Sequence, residues 1–296
     1  MSAVSTAAAP ALDDAVLRRA RRSLFAAQEP LWLDPGIAAE IVFAPGIDSD
    51  ARGLTDHLRS VLGDDPIDAV VQRSGPRRKK LLVADMDSTM IGQECVDELA
   101  DFAGLKAHGS EITERAMRGE IAFEPALRER VALLKGLPVS AVEKVIAERI
   151  TLTPGAQTLV RTMRKHGALT CLVSGGFTLF TQRVADMIGF EENRGNSLGV
   201  APDGKLDGVV GEPILGREGK LATLLNLTAR LGIGLEETMS VGDGANDLAM
   251  IEASGLGVAY RAKPAVAAAA HARVDHCDLT ALLYMQGYKR DEFAAG

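Results

Sequence analysis

From residue 80 onward, short apolar runs repeatedly break off into polar or glycine-rich stretches: KLLVAD at 80–85, ALTCLVS at 168–174, ETMSVGD at 237–243 and GLGVAY at 255–260. Runs of this length alternating with helical periodicity predict a parallel sheet with helices on both faces. Between the first two runs, residues 91–155 hold no convincing strand but carry helix-period patterns such as FEPALRERVALLKG and SAVEKVIAERI. A crossover between parallel strands needs one helix, so this stretch reads as an inserted helical cap. SLGVAPDGKLDGVVG at 197–211 puts two strand-like runs around Asp203-Gly204, a hairpin signal. AVAAAA at 265–270 reads as a further helix.

Ahead of these elements the pattern predicts a helix over 12–27, a strand in AAEIVFAP at 38–45, a helix over 48–63 and a strand in IDAVVQR at 67–73. That is a small α+β unit covering 1–75. The Gly-Pro and basic cluster GPRRKK at 75–80 then punctuates the chain and reads as a solvated linker. The expected fold class is α/β: a Rossmann-like parallel core at 80–290, a helical cap at about 91–155 inserted in it, and the N-terminal α+β module.

Composition narrows the partners. A chain of 296 residues that is 47% hydrophobic and 25% charged reads as globular. Its formal charge of -7 gives no overall basic field, so neither nucleic acid nor an anionic membrane is an expected partner. Cys95, Cys171 and Cys277 are far apart and form no CxxC pair, which argues against a disulfide framework or zinc site and fits a reducing cytoplasm. The N-terminal stretch carries Asp13 and Asp14 and lacks a basic start with an apolar core, so no signal peptide is expected.

The candidate chemistry lies where the apolar runs stop. In an open parallel sheet the carboxyl ends of the strands form the ligand crevice. Three runs end there in polar residues: Asp85 and Asp87; Ser174, Gly175 and Gly176; and Asp243, Asn246 and Asp247. Carboxylates gathered in one crevice repel one another, and a hard divalent cation such as Mg²⁺ removes that cost. The expected ligands are Asp85, Asp243 and either the side chain or the backbone carbonyl of Asp87. Ser-Gly-Gly before a helix start suits a phosphate, and Lys220 at the start of an amphipathic helix could neutralise another of its oxygens. With Asp85 as nucleophile, attack on phosphorus would give an aspartyl-phosphate, and Asp87 could protonate the leaving alkoxide and then deprotonate water. At any single strand end, Asp and Ser could instead merely cap a strand-to-helix turn. That explanation must be invoked separately three times.

DMDSTMI, SGGF, Lys220 and GDGAND, in that order, resemble the four motifs of the haloacid dehalogenase superfamily of phosphotransferases. The likeness extends through the cap: DMDSTMIGQE, AMRGEIAFEPALRERVALLKGLP and VSGGF resemble its phosphoserine phosphatase family, from residue 81 to about 285. The resemblance implies Mg²⁺-dependent hydrolysis of phosphoserine, as in the last step of serine synthesis. It also implies Asp85 as nucleophile, Asp87 as general acid and base, and Asp243 completing the metal site. Ser174, Gly175 and Lys220 would hold phosphate, Asn246 would position substrate, and Asp247 would orient its neighbours. In the cap, Glu94 and Arg130 would read the substrate, with Met117 and Phe123 closing over it. Charge supports the pair: an amino-acid zwitterion needs an acid for its ammonium and a base for its carboxylate, and arginine's planar fork suits the second task.

Residues 1–80 match no motif of the resemblance. They read either as a regulatory ligand-binding or dimerising unit, with a homodimer among the assemblies it allows, or as a packing element that buries apolar surface of the main domain. Rival readings of the core are a phosphatase acting on another small ester, a phospho-accepting signalling domain and a non-catalytic amino-acid sensor. Glu94 argues against an ester without an ammonium, and Asp87 argues against a phosphoryl group that persists.

Overall fold

The protein is described by a computed structural model covering residues 1–5, 10–46, 50–117 and 120–295, with the side chains at 110, 113, 114, 116 and 117 also outside the described set. The N-terminal elements are β1 (Ser2–Ser5), α1 (Asp14–Arg22), β2 (Leu31–Asp34), β3 (Ala38–Glu40), α2 (Ala51–Leu62) and β4 (Ile67–Val70). The strands form an antiparallel sheet in the order β2-β3-β1-β4. Both helices are capped by the side chain before them: Asp13 accepts from the Val16 amide and Asp50 from the Gly53 amide. Their apolar faces, with Leu17, Ala20, Leu58 and Leu62, close a core against Ala3, Ala39, Ile41 and Ala69.

The expected helix over 12–27 is thus shorter, and residues 48 and 49 of the expected second helix lie outside the described residues. The strand expected over 38–45 ends at Glu40; Ile41 still exchanges main-chain bonds with Met1, but from Val42 on the chain bonds outside the ladder, the Val42 carbonyl accepting the Gln28 amide and the Ala44 amide donating to the Phe25 carbonyl.

The larger sheet has the order β12-β11-β10-β5-β6-β7 and is parallel throughout. It begins with β5 (Leu81–Ala84), followed by α3 (Cys95–Phe102), α4 (Lys106–Met117), α5 (Phe123–Leu133) and α6 (Ser140–Arg149) of the cap. The chain returns through α7 (Ala156–Lys165), β6 (Leu169–Phe177), α8 (Thr178–Ile188) and β7 (Glu192–Asn196). Next come the hairpin β8 (Leu198–Val200) and β9 (Leu206–Val210), then α9 (Arg217–Leu231), β10 (Thr238–Gly242), α10 (Leu248–Ala253), β11 (Leu256–Tyr260), α11 (Pro264–Ala269), β12 (Ala272–Val274) and α12 (Ala281–Met285). The central strands β5, β10 and β11 are buried at every position, the signature of a sheet covered on both faces. Among the described residues no helix is long and apolar enough to cross a membrane.

Cap and core meet at a two-stranded neck. Ile91 bridges Leu152, the Gly92 amide donates to the Thr151 carbonyl and the Thr153 amide to that of Met90. The hairpin tip turns at Gly204, whose φ of 77° needs glycine.

Candidate active site

Three parallel strands end side by side, β10 next to β5 and β5 next to β6. Asp85 follows β5, its amide donating to the Val241 carbonyl of β10 at 2.9 Å, so the sheet ladder itself fixes where this carboxylate points. The chain then makes a kinked turn over 86–90 in which Asp87 is extended and Ser88 takes a φ of 54°. Ser174, Gly175 and Gly176 are the last part of strand β6 rather than a separate turn, and α8 starts just after them. The register of β6 against β7 slips between Val173 and Phe177, which frees this strand end from regular pairing.

The side chains converge. Lys220, in the first turn of α9, is wholly buried and reaches Oδ1 of Asp85 and Oδ1 of Asp247 at 2.6 Å each. A lysine without water needs such partners: burial alone would lower its ammonium, and the two carboxylates outweigh that and raise its pKa. Asp85 Oδ1 also accepts the Met86 amide at 2.8 Å. Asp87 accepts the Cys95 amide at 3.0 Å on Oδ1 and the Ser174 hydroxyl at 3.2 Å on Oδ2. The Ser174 hydroxyl in turn accepts the Gly176 amide at 2.8 Å. Asp247 accepts the Gly244 amide, and a Cβ on Gly242 would collide with the Asp247 carboxylate. Asn246 is folded over Gly244 in the same loop.

Burial raises the carboxyl pKa of Asp85, Asp87 and Asp243, and for Asp85 and Asp243 the charge of Asp247 adds to it. Carboxylate oxygens of Asp85, Asp243 and Asp247 lie within 4.8 Å of one another. Three carboxylates face one ammonium there, an excess that a divalent cation would cancel, and hard oxygen donors of this type suit one. The Asp87 side chain is not in that cluster; it is turned toward Ser174 and Cys95. The Thr89 hydroxyl donates to Asp243 Oδ1 at 3.2 Å.

The cap supplies the mouth. Glu94 stands just before α3 and takes the Ser88 hydroxyl at 2.8 Å. Withdrawal from water in the cleft, and then the charge of Asp87, push its carboxyl up to about 7. Phe123 opens α5 with its ring over the strand end: a Cβ on Gly175 would lie 3.5 Å from its Cζ. Arg130 faces α3 and pairs with Asp97. Arg128 and Glu98, its neighbours in kind, are engaged elsewhere, with Glu212 and Arg149. The side chain of Met117 lies outside the described residues.

One residue that the sequence pattern does not flag sits beneath the site. Asn196, at the end of β7 and buried, donates from Nδ2 to the carbonyls of Gly175 at 2.8 Å and Leu215 at 3.1 Å. Its Oδ1 accepts the Leu215 amide at 2.6 Å. It thereby ties the Ser-Gly-Gly strand end to the loop that leads into Lys220. The only sequence signal is an asparagine next to a glycine, which is usually just a turn.

Comparison with known proteins gives a consistent set. The family model for haloacid dehalogenase-like hydrolases matches residues 82–252. A phosphoserine phosphatase of Streptomyces coelicolor is 42% identical over 81% of this chain and 60% of its own length, so the chain spans about three fifths of that relative. A phosphoserine phosphatase of Polaromonas is 46% identical over 69% of this chain and 88% of its own. Among solved structures, a phospho-aspartyl intermediate analogue of phosphoserine phosphatase superimposes with a TM-score of 0.64 at 39% identity, covering 70% of this chain and 98% of that one.

Proposed function

This chain belongs to the haloacid dehalogenase-like hydrolases, and from that premise we propose that it acts as a Mg²⁺-dependent phosphatase of O-phospho-L-serine, releasing L-serine and phosphate. The observation that carries the reading is the convergence of Asp85, Asp87, Ser174, Lys220 and Asp243 at three adjacent strand ends under a cap that presents Glu94.

Asp85 is the nucleophile. Lys220 and the Met86 amide both take Oδ1, leaving Oδ2 to attack phosphorus and form the aspartyl-phosphate while the seryl oxygen departs. Asp87 gives that oxygen its proton. Burial raises the Asp87 carboxyl above the ordinary aspartate range, the direction a general acid needs. In the second step Asp87 takes a proton from water as the water attacks phosphorus, and Asp85 leaves. Ser174 holds Asp87 in line, and Lys220, with the amides around Gly175, neutralises charge on the phosphoryl oxygens. Asp85, Asp243 and the backbone carbonyl of Asp87, with Asp247 beside them, would hold Mg²⁺, which would add to that charge neutralisation. Glu94 receives the substrate ammonium and Arg130 its carboxylate, with Phe123 closing over them. Three buried, unpaired cysteines support a cytoplasmic setting.

The test is phosphate release from L-phosphoserine, phosphothreonine and phosphoglycolate, with Mg²⁺ and with excess EDTA. The expected result is metal-dependent turnover with L-phosphoserine strongly preferred. Metal-dependent turnover of another ester instead would keep the strand-end chemistry and discard the Glu94 and Arg130 pocket.

A further inference from the structure

Arg130 does not wait empty. Its guanidinium is paired with Asp97, in the first turn of α3, and is itself only 21% exposed. Asp97 lies three residues after Glu94, the residue just before α3, and the two acids are near enough for the charge of Asp97 to act on the Glu94 carboxyl. The arginine assigned to the substrate carboxylate is therefore held by an acid of the same helix start that carries the acid assigned to the substrate ammonium. Asp97 is about half exposed, and its pair with Arg130 spans two cap helices, α3 and α5.

We propose that Asp97 is a positioning residue that sets specificity: it occupies Arg130 in the free enzyme and surrenders it only to another carboxylate. This rests on the phosphoserine reading above. A substrate whose ammonium reaches Glu94 carries its own carboxylate a few bonds away, next to Arg130. The exchange replaces one carboxylate partner of Arg130 with another, so the ion pair is never lost. An ester without a carboxylate offers Arg130 nothing and leaves Asp97 in place. The cost to the proper substrate is the free energy of a partly exposed ion pair, which lowers apparent affinity by the fraction of enzyme whose Arg130 is free.

Asp97→Asn and Asp97→Ser, both able to accept a hydrogen bond in a first helical turn, test this, with O-phospho-L-serine and O-phosphoethanolamine as paired substrates. Phosphoethanolamine retains phosphate and ammonium but has no carboxylate, so any change through the Glu94 side is common to both. The expected result is a KM for phosphoserine lower by about twofold to fivefold relative to that for phosphoethanolamine, the range an exposed ion pair allows, with kcat moving less than KM. Inhibition by free L-serine should tighten in step. An unchanged KM ratio would overturn the proposal, as would a rise in the phosphoserine KM alone, which would mean that Asp97 aims Arg130 productively. If the unaltered enzyme does not hydrolyse phosphoserine, the functional reading fails first. If it does and the ratio is unmoved, only the role of Asp97 falls.

Discussion

Two buried aspartates, one within a strand and one just past a strand's end, have opposite surroundings. Asp68, in β4 of the N-terminal sheet, accepts three main-chain amides, from Asp275 at 2.9 Å, His276 at 3.1 Å and Cys277 at 2.9 Å. Asp85 accepts one main-chain amide and half of a lysine that it shares with Asp247, and it faces Asp243 as well. Fixed amides that saturate a carboxylate leave it nothing to do but hold two segments together. For Asp85 burial, and then the charge of Asp247, raise the carboxyl pKa, and crowded carboxylates with so few donors favour a cation. Burial alone therefore does not separate a structural aspartate from a chemical one; the count and rigidity of its donors does. Around Asp68 the same stitching continues, with the Tyr284 hydroxyl donating to Asp34 at 2.6 Å and the Cys277 thiol facing the Val4 carbonyl. On that ground we favour the packing role for the N-terminal unit.

The largest effect is expected at Asp85. Asp85→Asn should lose at least about 10³-fold in kcat while its thermal midpoint stays within a few degrees, because an amide in that crowded acidic cluster relieves repulsion. Activity near that of the parent, measured by phosphate release, would remove Asp85 from the nucleophile role. A collapsed midpoint would mean that Asp85, like Asp68, is mainly structural.

Asp68→Ala should do the reverse. It orphans up to three buried amides, and we expect a loss of about 3 kcal/mol in unfolding free energy, read as a lower urea midpoint, with kcat of the folded enzyme within about twofold of the parent. A large fall in kcat at unchanged stability would mean that the junction reports to the active site. The route for it exists: the Leu279 amide donates to the Pro154 carbonyl, next to the neck of the cap.

How much of this the sequence discloses follows from where donors come from. Asp85, Asp87, Ser174 and Asp243 stand out because polar residues interrupt apolar runs, and the order of runs conveys a parallel core and an inserted cap. Strand β7 (ENRGN) does not stand out, since it is an edge strand with almost no apolar residue. Nor do β1 and β2, four-residue strands that pair only through the folded N-terminal sheet. Asp68 and Asn196 are invisible for one reason: their partners lie 207 and 19 residues away, and nothing local requires them. The burial of Lys220 runs against the habit of lysine and is understandable only once Asp85 and Asp247 are beside it. Arg130 looks like any helical surface arginine until the fold brings Asp97 of α3 to its guanidinium.

Glu94 lies between the two aspartates in kind, with one hydroxyl donor and a side open to water, and it makes the smallest and sharpest test. Its carboxyl is raised from 4.5 to about 7 by withdrawal from water and by Asp87, and solvent on the open side screens part of that, so its inflection belongs between those values. Below the inflection Glu94 is neutral and cannot pair with the substrate ammonium, so kcat/KM for phosphoserine should fall by several-fold as pH drops through it. The folded-state pKa is the raised one, so the stability Glu94 contributes is fully present below 4.5 and is lost as pH rises through the folded value. Glu94→Gln should then gain stability relative to the parent at pH 8 but not at pH 4. The substrate phosphate also titrates near ~6, so the informative quantity is the difference between parent and Glu94→Gln pH profiles. If the acid limb of kcat/KM is the same in both, Glu94 is a bystander at the cleft mouth, and the number of fixed donors that separates Asp68 from Asp85 does not decide the role of a carboxylate that water can reach.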